Sequence, residues 1–183
     1  MITRDEALKL IREHVKNEKL IKHMIAVEAI MRELAKRLGE VEELWGLVGL
    51  LHDIDYEMTK SQMERHGIVG AEMLKGKLPE EALEAIRAHN EKTGHEPKTK
   101  LAKALIAADN ISGLIVAAAL VMPHKKLEEV KLDTLKRKFK DRDFARGANR
   151  EKIKLCEEIG LSLEEFLELS LNALKKISHE LGL

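Results

Sequence analysis

Six polar side chains fall where a helical protein keeps its apolar ones. His23 shares a helical stripe with Val27, Ile30 and Leu34; His66 lines up with Val69, Gly70 and Met73; His89 follows Ala82, Ala85 and Ile86. Asp109 lies in line with Ala102, Leu105, Ile106 and Val116, and His52 and Asp53 stand side by side where the apolar run of residues 44–51 stops. Each histidine taken alone reads most simply as a hydrogen-bonded core residue. Asp109 is harder to set aside, because a bare carboxylate costs several kcal/mol to bury. Its own stripe carries no Lys or Arg one turn away, so its partner comes from elsewhere in the fold.

Taken together, the inward residues are most economically explained by a divalent cation. Neutral imidazoles and carboxylates ligate Zn, Fe, Mn, Co and Ni, and carboxylates also suit Mg. The lack of thiolates argues against a closed structural zinc site. Adjacent helical residues differ by about 100° around the axis. His52 and Asp53 can still share one ion that lies beside the helix end.

The elements that must position these residues are helical. Only three prolines occur, aromatic residues are few, and nothing alternates with period two. Thr3 and Glu6 form a capping-box signature ahead of Leu8, Ile11 and Val15. The pattern predicts further helices over about 18–38, stopped by Gly39, over 41–53, over 61–75 and from Pro79 to His89. Gly46 and Gly49 allow neighbours to approach the third of these closely. A long apolar helix follows over 99–122, and "SLEE" at 162–165 opens the last one, with Phe166, Leu167, Leu174, Ile177 and Leu181 towards the core. The long helix is interrupted by Asp109, Asn110 and Ser112, so its apolar run falls well short of the ~20 residues of a membrane span. The expectation is one all-α domain over residues 1–183, with no membrane segment.

Composition narrows the partners. Lys plus Arg and Asp plus Glu are 32 each, so no overall field favours nucleic acid or acidic lipid. The single cysteine, Cys156, and an N-terminus without an apolar signal core suit the cytoplasm. The C-terminal helix offers Leu residues that serve equally as core or as a homodimer face.

The order His23, His52-Asp53, Asp109 resembles the HD superfamily of metal-dependent phosphohydrolases. "LVGLLHDID", "ERHGIVGAEML" and "IRAHNE" are similar to successive elements of that superfamily, over a motif region of about 20–115. The resemblance implies an HD-type helical bundle, with the helices of 124–183 packed on the motif region. It implies a first ion on His23, His52, Asp53 and Asp109. In two-metal members, residues matching His66 and His89 hold a second ion, with Asp53 bridging the pair. The substrate of the cyclic-dinucleotide phosphodiesterase branch is not implied, because Asp55 and Tyr56 replace its Gly-Lys and no Gly-Tyr-Pro segment is present.

The resulting expectation is a hydrolase of a phosphate ester, with a nucleotide or related small phosphate as substrate. Asp53 would fix the ions; Asp55 and Glu57 can move protons, though both read equally as solvated loop acids. Lys98, Arg142, Arg146 and Arg150 are candidate phosphate contacts, against the plainer reading of a solvated basic face. The alternatives are a metal- and nucleotide-binding regulatory module without turnover and a di-iron oxygenase.

Overall fold

A computed structural model describes all residues from Met1 to Leu183. The chain forms eleven helices and no strand. Helix α1 (Arg4–His14) opens on the expected capping box, with the Thr3 hydroxyl accepting from the Glu6 amide at 3.2 Å and the Glu6 carboxylate accepting from the Thr3 amide at 3.0 Å. Helix α2 (Glu18–Leu38) is capped by Asn17 and ends at Gly39 in the left-handed region, φ 70°. Helix α3 (Glu42–Leu51) is buried from Leu44 to its end. It lies at the centre of the bundle, against α1, α2, the sixth helix and the seventh.

Of the two glycines expected to let neighbours close on α3, Gly49 meets backbone: a Cβ there would lie 3.0 Å from Cα of Glu28. Gly46 is covered instead by the Arg32 side chain. That guanidinium joins Arg4 on the buried Glu28 carboxylate, and the Arg4–Glu28 pair ties the first two helices together.

The segment after α3 departs from the expected pattern. Helix α3 stops at Leu51, and His52 to Asp55 form a turn before the short α4 (Tyr56–Thr59). The single helix expected over 61–75 is two pieces: a 3₁₀ turn, Met63–Arg65, and α5 (Ile68–Met73). Gly67 separates them at φ 97°, and a Cβ there would fall 2.8 Å from the carbonyl oxygen of Ile86. The close approach forces the kink, and only glycine fits it.

Helix α6 (Glu80–Ala88) has Pro79 at its N-cap and His89 at its C-cap. Helix α7 (Lys100–Leu120), capped by the Thr99 hydroxyl, is long and apolar enough to cross a membrane by length and composition, yet most of it is buried inside the bundle. It packs on α2, α3 and α6 and on the C-terminal elements α8 (Leu132–Lys140), α9 (Arg150–Ile153) and α10 (Leu163–Lys176). Ser162 caps α10 through the Glu165 amide, and α11 (Ser178–Leu181) closes the chain. One continuous apolar cluster reaches from Ala7 through α3 and α7 to Leu181. Cys156 lies in it, and burial pushes its thiol up to about 12.

Candidate metal centre

Five segments deliver the six inward residues to one place. His23 comes from the second turn of α2, His52 and Asp53 from the end of α3, His66 from the kink before α5, His89 from the end of α6 and Asp109 from the middle of α7. Asp53 lies between two groups. Its Oδ2 is 3.2 Å from His52 Nε2 and 3.4 Å from His23 Nε2, which is itself 2.9 Å from Asp109 Oδ1. Its Oδ1 is 3.1 Å from His66 Nε2 and 3.3 Å from His89 Nε2. Within each group the donor atoms lie within 4.8 Å of one another. Donors about 2.0–2.2 Å from a common ion sit roughly 3–4.4 Å apart, so both groups match the spacing of a coordination sphere.

The tautomers follow from the hydrogen bonds. His52 Nδ1–H donates to the Gly49 carbonyl at 2.7 Å, and His89 Nδ1–H donates to the Ile86 carbonyl. His66 Nδ1–H donates to Asp55 Oδ1 at 2.7 Å. For His23 the partner is Ser112: its hydroxyl donates to the Asp109 carbonyl at 2.8 Å, so its lone pair accepts from His23 Nδ1–H at 3.3 Å. In the neutral rings every Nε2 is therefore a lone pair directed at the carboxylates.

Two observations show that a cation fits. His52 Nε2 is fully buried and makes no hydrogen bond, although Asp53 Oδ2 is only 3.2 Å away. His66 Nε2 and His89 Nε2 are 3.1 Å apart with both Nδ1 positions committed as donors. Facing lone pairs at that distance repel unless a positive charge lies between them. The arrangement is a divalent-cation site, with all-nitrogen and oxygen donors.

Protons compete for the same positions. Burial alone lowers the imidazole pKa of His23, but hydrogen bonds to Asp109 and Asp53 outweigh it and raise His23 to about 9. His66 is raised to about 9 against its burial by Asp53 and Asp55, and His52 rises chiefly through the charge of Asp53. Burial pushes Asp53 and Asp109 up, yet the surrounding imidazoles hold both well below the usual carboxylate range.

Several expected roles change. Asp55 is fully buried, and its Oδ2 accepts from the Gly67 and Gly70 amides at 2.7 Å each while Oδ1 holds His66. Its three hydrogen bonds commit it to positioning, and it has no contact with solvent. Glu57 does not join the cluster: it accepts from the Lys16 and Asn17 amides in the loop before α2, which lowers its pKa. Arg150 is not free for phosphate: its buried guanidinium donates to the carbonyls of Lys138, Phe139, Asp141, Phe144, Ala145 and Ala148. Arg142 and Arg146 are exposed on the loop that Arg150 organises, paired with Glu151 and Asp143. The Asn149 amide ties that loop to Asn110, the neighbour of Asp109. Lys98 lines a separate cavity of about 340 Å³ with Glu84 and His95, and none of the six inward residues borders it. His95 pairs with Glu84 at 2.7 Å rather than joining the cluster.

The family model described as HD domain matches residues 20–114. Ribonuclease Y of Lawsonia intracellularis is 35% identical over 104 residues, 56% of this chain and 20% of that protein. Ribonuclease Y of Acholeplasma laidlawii is 32% identical over 96 residues, covering 52% and 18%. Ribonuclease Y of Clostridium botulinum is 32% identical over 173 residues, covering 90% and 32%. The chain thus spans a third or less of these relatives' length. No solved structure matches it significantly.

Proposed function

The chain belongs to the HD domain family, and from that premise we propose that it hydrolyses a phosphate ester of a nucleotide at a centre of two divalent cations. One observation carries the two-ion reading: the two oxygens of Asp53 face separate donor sets, His23, His52 and Asp109 on one side, His66 and His89 on the other. The relatives' name, ribonuclease, supports a nucleotide ester as the substrate class.

Divalent cations in such a site supply Lewis acidity, lowering the pKa of water and offsetting phosphoryl charge. The protein's part is to hold the donors in one protonation state and to keep the deep side dry. His52, His66 and His89 are buried, whereas the His23 and Asp109 side chains are each 27% exposed. The phosphate therefore approaches from the side on which His23, Asp53 and Asp109 reach solvent. Asp109 uses Oδ1 towards the imidazoles, which leaves Oδ2 to accept a hydrogen bond from an attacking water. Asp53 stays ionised throughout, clamped by four imidazoles.

The test is product release with Mn, Co, Ni, Mg or Fe, inorganic phosphate from a panel of mononucleotides and mononucleotide from dinucleotides, comparing wild type with Asp53→Ala. The expected result is metal-dependent release that disappears in the variant. Equal rates in the two chains remove the centre from the chemistry. Nucleotide binding with no release under any metal assigns the chain instead to a regulatory module.

A further inference from the structure

An open groove of about 830 Å³ runs up to Asp53, lined by Lys16, Asn17, Leu20, Tyr56, Glu57 and Lys60. None of its cations is among Lys98, Arg142, Arg146 and Arg150, the phosphate contacts expected from the sequence. Resting on the proposed hydrolysis, we infer that this groove is the nucleotide-recognition subsite: Tyr56 stacks the base while Lys16 and Lys60 receive the phosphate that lies over Asp53.

The residues divide in a way that suits such a ligand. Tyr56 is the only tyrosine in the chain, and it directly follows Asp55, the buried anchor of His66. Its ring stands edge-on to the His66 imidazole, with centroids 5.4 Å apart and planes at 84°, and the residue remains 38% exposed. An aromatic surface is thus fixed one ring away from a cation-ligating imidazole and still open to a ligand. Leu20 adds apolar surface to the same wall.

The charge is also arranged for an anion. Lys60 is exposed and makes no ion pair, and Lys16 spends one donor on the Arg12 carbonyl at 3.1 Å, leaving the rest of its ammonium free. The one carboxylate besides Asp53 that lines the groove, Glu57, has both oxygens occupied by the Lys16 and Asn17 amides. That clamp sets Lys16 at the groove mouth. A phosphate ester with a small aliphatic group would use only the lysines. The half-covered aromatic ring has a use only for a planar partner, and stacking on it is indifferent to which base is bound.

Calorimetric titration of the manganese-loaded protein with non-hydrolysable phosphonate analogues of AMP, UMP and glycerol 3-phosphate, named below by their parent ligands, tests this directly. AMP and UMP are expected to bind with similar affinity and about tenfold or more above glycerol 3-phosphate. Tyr56→Leu should remove that preference while leaving glycerol 3-phosphate binding and the manganese stoichiometry unchanged. Tyr56→Phe should restore it, and Lys60→Gln should weaken all three ligands together. Equal affinity for AMP and glycerol 3-phosphate in wild type, or an AMP affinity unmoved in both Tyr56→Leu and Lys60→Gln, overturns the assignment. Since binding is read without turnover, a chain that discriminates AMP but releases no phosphate refutes hydrolysis and keeps the subsite. A chain that turns over nucleotides without a Tyr56 effect does the reverse.

Discussion

Exchange of Asp55 for asparagine changes one oxygen to an amide and should disable one half of the metal centre while leaving the other. The buried carboxylate accepts three hydrogen bonds of 2.7 Å, two from the Gly67 and Gly70 amides at Oδ2 and one from His66 at Oδ1. An asparagine can be placed in two ways. With its oxygen on the glycine amides, its NH₂ meets His66 Nδ1, and the imidazole must move its proton to Nε2. With its NH₂ on the glycines, two buried backbone N–H groups face donors, at about 1–3 kcal/mol each. The first placement therefore wins. Its cost is the loss of charge from the hydrogen bonds, roughly 1 kcal/mol apiece or about 3 kcal/mol in all, within the ~5–15 kcal/mol of a typical domain. The chain should fold. His66 Nε2 then carries a hydrogen towards Asp53 Oδ1 in place of a lone pair, and loss of such a supporting contact typically costs 10–100-fold in metal affinity. Manganese titration of chelator-stripped protein should show one ion bound as in wild type, on His23, His52, Asp53 and Asp109, and a second weakened by that factor. The ¹⁵N shifts of the His66 ring should report the exchanged tautomer. Two ions bound with wild-type affinity, or an equal loss at both positions, refutes the reasoning.

Metal-stripped protein should lose stability as pH rises. His23 and His66 are raised from 6.5 to about 9, so their contribution is complete below about pH 6.5 and is lost through pH 9. Melting temperatures in chelator should fall across that window while manganese affinity rises, because the ion displaces those protons; melting that is flat or rising in chelator contradicts the assignment. Ser112→Ala removes the acceptor of the His23 Nδ1–H in a part-buried site and should lower affinity for the first ion about tenfold, read by the same titration. Arg150→Met strips its donors from the carbonyls of Lys138, Phe139, Phe144 and Ala148, while Asp141 and Ala145 keep the Phe144 and Ala148 amides, and should destabilise the fold by roughly 4 kcal/mol in urea unfolding, whereas Arg142→Met and Arg146→Met should stay within about 0.5 kcal/mol of wild type.

The parts of this centre that could be read from the sequence are those set by helical periodicity. His23 and Asp109 sit mid-helix in α2 and α7, where the 3.6-residue repeat says which way a side chain points. His52, Asp53 and His89 end helices, and a polar residue closing an apolar run is visible in one dimension. His66 joins the cluster by a route the pattern misstates: it stands outside any helix, swung in by the positive φ of Gly67. The supporting contacts were not legible because hydrogen-bond geometry leaves no periodic trace. Asp55 and Glu57 look alike in the sequence, two residues apart after the same helix, yet one is a buried acceptor and the other a half-buried acceptor of loop amides before α2. Ser112 looked like a mere interruption of an apolar helix. The "His-Gly-x-x-Gly" spacing at 66–70 was the one available hint of Asp55's role, since its glycine amides are the donors that receive a buried carboxylate.

That His52 and His89 each close the helix carrying them also explains why a histidine belongs there. The last carbonyls of a helix have no amide partner within it. A histidine three residues beyond such a carbonyl can donate Nδ1–H to it, as His52 does to Gly49 and His89 to Ile86. At Gly49 that bond satisfies the helix end, at Ile86 it joins the His89 amide at 3.4 Å, and in both places it fixes the ligand tautomer. Both helices also direct their negative ends at the centre, where a cation is favoured by the summed peptide dipoles. Alanine at either position therefore removes a ligand and a helix cap together, and a fall in activity there would not separate the two. His23 and Asp109, held mid-helix with no capping duty, are where loss of ion binding at unchanged helix stability would isolate the ligand role.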